Sequence, residues 1–74
     1  MQITVTYGPN VQEVDVPDDA TPQSVMSDNF IARLVGYTAN ERSVALVNGC
    51  AADWGKALVA GDSLEIVKRA GNKA

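Results

Sequence analysis

Gln2-Ile3-Thr4-Val5-Thr6-Tyr7-Gly8-Pro9-Asn10-Val11-Gln12-Glu13-Val14-Asp15-Val16 is the stretch on which the fold turns. Ile3, Val5 and Tyr7 alternate with Gln2, Thr4 and Thr6, the pattern of a strand with one face buried and one face wet. Gly8-Pro9-Asn10 has the chemistry of a tight turn. In the following run Val14 and Val16 share one face, and Glu13 and Asp15 share the other. Two such runs joined by three turn residues predict a β-hairpin.

Beyond the hairpin, Pro17-Asp18-Asp19 breaks the pattern and Thr21-Pro22 reads as a helix start. The Thr21 hydroxyl can accept from an orphan backbone N–H, and a proline at the first helical position loses no hydrogen bond. The spacing predicts one helix from Pro22 to about Val35. Met26, Phe30 and Leu34 are four apart, Ile31 and Val35 form an adjoining row, and Asp28 and Arg33 face outward. Gly36 stands where a C-terminal cap belongs.

Tyr37 to Arg42 is a polar connection, a candidate contact loop. Val44-Ala45-Leu46-Val47 is a short apolar strand whose lack of alternation suggests burial on both faces or a central position. Asn48-Gly49 predicts a tight turn into a short strand at Cys50-Ala51-Ala52. Asp53 to Ala60 is a compact connection with room for a helical turn. Gly61-Asp62 is another turn. Ser63 to Lys68 is the last strand, with Leu64 and Ile66 facing one way and Glu65 and Val67 the other. The order predicts an α+β domain of the β-grasp kind: a mixed sheet of four to five strands, one helix packed across it, and the first and last strands parallel and adjacent. Residues 1–70 form this single domain and 71–74 a loose polar tail.

The 74 residues carry a formal charge of −3. Residues 1–40 hold five acids and one base, and residues 41–74 four acids and five bases. That balance argues against nucleic acid as a partner. Lys68 and Arg69 read as a solvated strand end. The longest apolar runs, such as Val44 to Val47 and Ala57 to Ala60, fall far short of the roughly 20 residues of a spanning helix. The alternating N-terminus does not read as a signal peptide, and a cytoplasmic location is expected.

One cysteine and no histidine exclude an intrachain disulfide, a zinc site of four Cys or His ligands, and Ser-His-Asp or Cys-His catalysis within the chain. No catalytic site, cofactor or metal is expected. Cys50 has no basic neighbour in sequence and reads as a small, semi-buried hydrophobe. Asp18 and Asp19 read as residues serving a turn and the helix dipole.

Val47-Asn48-Gly49, Trp54 and Leu58-Val59-Ala60-Gly61-Asp62-Ser63-Leu64-Glu65-Ile66-Val67 resemble the second half of the ThiS/MoaD sulfur carriers, which have the ubiquitin-like fold. The hairpin and the Thr21-Pro22 helix start fit the same layout, so the resemblance covers nearly the whole chain. Much of the pattern is structural: positive φ at Asn48-Gly49, a reversal at Gly61, local hydrogen bonds from Asp62, core from Leu64 and Ile66, and a covering ring at Trp54. The resemblance implies chemistry at a C-terminal Gly-Gly. A partner enzyme adenylates the terminal carboxylate with ATP, and sulfur then replaces one oxygen. This sequence departs from that pattern, ending Arg69-Ala70-Gly71-Asn72-Lys73-Ala74. The carrier activity therefore requires trimming to Gly71 and a partner that accepts Ala70.

The sheet face opposite the helix is the expected docking surface, carrying Gln2, Thr4, Thr6, Glu65 and Val67. Such a face suits a weak contact with another protein or a second copy of the chain. The expected function is a non-catalytic β-grasp interaction module with an unidentified protein partner. The alternative is a sulfur carrier or ubiquitin-like modifier activated at Gly71, whose partner is an adenylating enzyme.

Overall fold

Strands β1 (Gln2–Tyr7) and β2 (Asn10–Asp15) form the expected antiparallel hairpin, in register from Gln2 opposite Asp15 to Tyr7 opposite Asn10. The computed structural model describes residues 1–37 and 43–68. The ladder runs one step further, with the Val16 N–H donating to the Met1 carbonyl at 2.8 Å and the Met1 nitrogen to the Val16 carbonyl at 2.7 Å. Only Gly8 and Pro9 make the loop, one residue fewer than predicted, because Asn10 joins the strand. Its side-chain amide then donates to the Val35 carbonyl at 2.8 Å, fastening the hairpin to the end of the helical segment.

That segment starts where expected. The Ser24 N–H donates to the Thr21 hydroxyl at 3.2 Å and the Thr21 N–H to the Ser24 hydroxyl at 2.9 Å, so two orphan donors are satisfied reciprocally. The single helix, however, is two: α1 (Pro22–Met26) and α2 (Asn29–Val35). Asp28 is the reason. Its carboxylate accepts from the Phe30 and Ile31 N–H groups at 2.9 and 3.4 Å and starts a second helix. The break resets the helical phase. Continued at helical spacing, the buried face of α1 (Pro22, Val25, Met26) would bring position 30 inward; α2 instead buries Ile31 and Val35. Phe30 and Leu34, expected in the core stripe, are 70% and 38% exposed. Gly36 ends α2 in the left-handed conformation (φ 79°), as a glycine after a helix does readily.

Strands β3 (Ser43–Val47), β4 (Cys50–Ala52) and β5 (Ser63–Lys68) complete one sheet in the order β2-β1-β5-β3-β4. The first and last strands are parallel neighbours, Thr4 beside Ser63 through Tyr7 beside Ile66. The helices cover one face, where Ile3, Val5, Val14, Ala45, Leu64 and Ile66 meet Val25, Ile31 and Val35. Residues 53–62 contain a hydrogen-bonded turn at Asp53–Lys56 and no helix. They are pinned beneath α1, where the Gln23 N–H donates to the Trp54 carbonyl and the Leu58 N–H to the Ala20 carbonyl, both at 2.9 Å. Trp54 packs half-buried against the core. Tyr7 and Tyr37 meet edge to face at 5.4 Å, which closes the other end. Residues 38–42 of the expected polar connection lie outside the described residues, as do 69–74.

One polar cluster joins the two turns that flank β3 and β5. Asn48 (φ 52°) and Gly49 (φ 85°) both take positive φ, the tight hairpin turn their dipeptide predicts. The Asn48 side chain donates to the Asp62 carboxylate at 3.0 Å and accepts from the Ser63 N–H at 3.0 Å. The second Asp62 oxygen accepts from the Val59 N–H at 2.9 Å. Asp62 is 5% exposed. The Val59 N–H is the largest influence on its carboxyl and holds it below the usual value of 3.8; burial pushes the other way, and the Asn48 amide and the Lys56 charge add to the lowering.

Two expectations follow for stability. Asp62→Ala leaves the part-buried Asn48 amide and Val59 N–H without their acceptor and should cost about 1–3 kcal/mol in urea unfolding. Asn48→Ala should cost about 1–2 kcal/mol, and the double variant less than the sum, because both changes empty one network. Because the folded value of Asp62 is depressed, its ionised form contributes stability fully above the unfolded value of 3.8, and that contribution disappears as pH falls through the lower folded value. Wild type and Asp62→Asn should therefore converge in stability on acidification. Parallel pH curves would show that Asp62 holds no such charge.

The helix break makes a contrasting pair. Asp28→Ala removes a cap and should cost about 1 kcal/mol, whereas Phe30→Ala should change stability by no more than about 0.5 kcal/mol. Equal losses at the two sites would contradict the broken helix.

Candidate interaction face

The face away from the helices carries every second residue of each strand. On β1 these are Gln2, Thr4 and Thr6, and on β5 they are Ser63, Glu65 and Val67. The parallel register sets Thr4 beside Ser63 and Thr6 beside Glu65. The five residues singled out from the sequence thus lie on one face of two adjacent strands. Gln2 and Glu65 are exposed, Thr4 and Thr6 half-buried, and Val67 is 39% exposed.

The sequence reading missed the middle of this face. The apolar run was expected to be buried on both faces or central in the sheet; β3 lies between β5 and β4, Ala45 and Val47 are its buried residues, and Val44 and Leu46 are half-buried on the open side. All four are apolar, so period-2 alternation has no polar residue to mark it. Pairing with β5 is the signal that resolves it: Val44 stands opposite Val67 and Leu46 opposite Glu65. Ala51 follows opposite Leu46 on β4. Val67, Val44, Leu46 and Ala51 form an apolar strip on one half of the face. On the other half β2 presents Glu13 beside Thr4 and Asp15 beside Gln2.

At one end of the face the sheet opens. The last β1–β5 pair is Tyr7 with Ile66, while β5 goes on to pair Val67 and Lys68 with β3 alone. A groove lined by Tyr7, Gly8, Glu65, Ile66 and Val67 lies there. Gly71, three residues after the end of β5, is outside the described residues.

Two further expectations change or gain detail. Cys50 is exposed rather than semi-buried, because β4 is a three-residue strand with no neighbour on its outer side among the described residues. Asp18 is almost fully exposed, 3.6 Å from the Met1 nitrogen, and the Ala20 N–H closes a turn onto the Pro17 carbonyl at 3.1 Å. No group of three or more Cys, Asp or Glu able to hold a metal occurs among the described residues. No helix among them is long and apolar enough to cross a membrane.

No protein-family model and no curated protein matches the chain. Solved structures do. SAMP1 from Haloferax volcanii superposes with a TM-score of 0.73 at 20% identity, covering 99% of this chain and 100% of that one. A protein described as molybdopterin converting factor subunit 1, from Pyrococcus furiosus, gives 0.72 at 17% identity, over 93% of this chain and 98% of that one. A ubiquitin-like protein from Caldiarchaeum subterraneum gives 0.57 at 15% identity, over 97% and 100%. With the strand order, the central parallel pair and the covered face, these likenesses establish that the chain has the ubiquitin-like β-grasp fold, the fold of the sulfur carriers its sequence resembles.

Proposed function

We propose that this chain is a non-catalytic β-grasp interaction module that docks another protein on the open face of its sheet. The observation that carries this reading is the apolar strip of Val67, Val44, Leu46 and Ala51, left uncovered by any described element and bordered by Glu65 and the threonines of β1. A small apolar centre with a polar rim suits a reversible contact. The chain offers no histidine, and its one cysteine is unpaired, which suits a reducing compartment such as the cytoplasm and leaves nucleophilic catalysis without a histidine base.

The second reading is a carrier or modifier activated after trimming to Gly71, with an adenylating enzyme as partner. It draws support from the likeness to SAMP1 and to molybdopterin converting factor subunit 1. It also draws support from the way β5 runs past the end of β1. Ala70 in place of the first glycine weighs against it. A tail threaded into a narrow channel benefits from the missing side chain and the free φ/ψ of glycine.

Intact-mass spectrometry of the protein from its native host separates the two. A species ending at Gly71, above all one with sulfur in place of a terminal oxygen, supports the carrier and overturns the first reading; full-length protein under every condition eliminates the carrier. For the docking face, Val67→Asp and Thr4→Arg should each weaken association with the native partner, or self-association in sedimentation, by roughly tenfold or more while the fold persists. Unchanged association in both variants would remove the face from consideration.

A further inference from the structure

The sheet has two edges, and they differ. β4 is three residues long, whereas β2 is six and, among the described residues, has no strand on its outer side. The direction of its backbone groups follows from the ladder. Met1 and Val16 exchange both hydrogen bonds, so in antiparallel pairing Val14, Gln12 and Asn10 also turn their N–H and C=O groups toward β1. Val11, Glu13 and Asp15 turn theirs outward. Among the described residues, none of those three N–H groups has a protein acceptor.

A groove lies at the Asp15 end of this edge, between the end of β2 and the helices. It has a volume of about 160 Å³; Val16, Ala20, Val25 and Ile31 line it, and Asp15 and Asp28 stand at its rim. Asn10 holds the end of α2 against the start of β2, and Ile31 lines the groove at the far end of that strand, so helix and strand run alongside each other in opposite directions. Asn29, Ala32 and Arg33 border a different groove on the opposite flank of α2. By helical phase, the exposed Phe30 and Leu34 fall on the flank shared with Ile31, toward the free edge.

We propose that the β2 edge and this groove accept an extended segment of a partner protein as a sixth strand, one whose residues alternate between apolar and basic. Pairing with the outward N–H and C=O groups of Val11, Glu13 and Asp15 supplies the backbone contact. One set of the partner's side chains then points to the helix side, against Leu34, Phe30 and Ile31. The other set points to the open face, where Glu13 and Asp15 call for lysine or arginine. A second copy of this chain paired about Glu13 is disfavoured. Antiparallel pairing of β2 with itself about Glu13 would set two glutamates directly opposite each other, which is destabilising. The site is separate from the docking face proposed above and stands without it.

The test uses the full chain, isotope-labelled, and the synthetic peptide acetyl-Thr-Val-Lys-Val-Lys-Val-Thr-amide. Titration to about 1 mM peptide, the range of a weak contact, should shift the amides of Val11, Glu13 and Asp15 together with those of Phe30, Ile31 and Leu34. Replacing both lysines by glutamate, or making the protein Glu13→Lys/Asp15→Lys, should weaken binding roughly tenfold. Phe30→Ala/Leu34→Ala should weaken it too, in a protein that circular dichroism finds folded. Two peptides N-methylated on alternate residues, one in each phase, need no change to the protein. One phase should bind and the other should not, because only one row of peptide amides faces β2. The proposal is overturned if the β2 edge amides do not shift, if the shifts are confined to Thr4, Val44, Glu65 and Val67, if the glutamate peptide binds equally well, or if both N-methylated peptides bind alike.

Discussion

Everything in this fold depends on where β5 sits, and a buried carboxylate sets that position. Asp62 lies one residue before β5 and accepts from Asn48 in the turn that ends β3. The Asn48 side-chain amide oxygen accepts from the first amide of β5, and the Asn48 backbone N–H donates to the Ser63 carbonyl at 2.8 Å. The β3–β5 register follows directly, Val47 opposite Leu64. On the other side the Thr4 N–H donates to the Asp62 carbonyl at 3.0 Å and the Gly61 N–H to the Gln2 carbonyl at 2.9 Å, which starts the parallel ladder with β1. A slip of one residue on either side would carry Leu64 and Ile66 from the core to the open face. A carboxylate out of water is costly without partners, and here both oxygens have donors. The Asn-Gly and Gly-Asp turns are therefore one device, although eleven residues separate Asn48-Gly49 from Gly61-Asp62 in sequence.

The second constraint is the phase of the helical segment. A continuous helix of this length would satisfy its own backbone and bury Met26, Phe30 and Leu34 in one row. The molecule instead gives up part of that regularity at Ser27-Asp28, and the Asp28 carboxylate compensates two of the freed donors. The β-branched Ile31 and Val35 then enter the core beside Val14 and Val16, and Phe30 is left in solvent. A phenylalanine that is 70% exposed contributes little to folding. Its location beside an unpaired strand edge is what connects it with recognition.

Most of the architecture was legible because each element carries its own period. The hairpin alternates, Thr21-Pro22 caps, Asn48-Gly49 turns, and Leu64 and Ile66 alternate with Glu65 and Val67. Three things were not legible, each for a physical reason. The break at Ser27-Asp28 was hidden because spacing by four is satisfied equally by Met26-Phe30-Leu34 and by Ile31-Val35, and only the capping carboxylate decides between them. The open-face position of Val44 and Leu46 was hidden because β3 is apolar at every position from Val44 to Val47, so its faces differ only in what its neighbours place opposite. The Asn48–Asp62 contact was hidden because each residue has a sufficient local reason to be where it is. Local turn chemistry cannot reveal that two turns share a hydrogen bond. Of the candidate site, β1 and β5 were readable from alternation; the apolar strip between β5 and β4 required the sheet order.

That sheet order also divides the molecule's charge. Glu13 and Asp15 lie on β2, and Asp18, Asp19 and Asp28 fall in the turns that follow it. The other end of the sheet, β3 and β4, carries no acid on its strands. The open face is consequently acidic toward β2 and apolar toward β3, with β1 and β5 between them. A partner seated on Val44, Leu46 and Val67 buries apolar area two strands away from the β2 edge. A basic strand added to that edge would neutralise Glu13 and Asp15 without covering the strip. The two proposed contacts use different physics, area on one side and backbone pairing with charge on the other, so they should respond differently to salt. Binding at the edge should weaken as ionic strength rises and its charges are screened, while binding at the strip should hardly change.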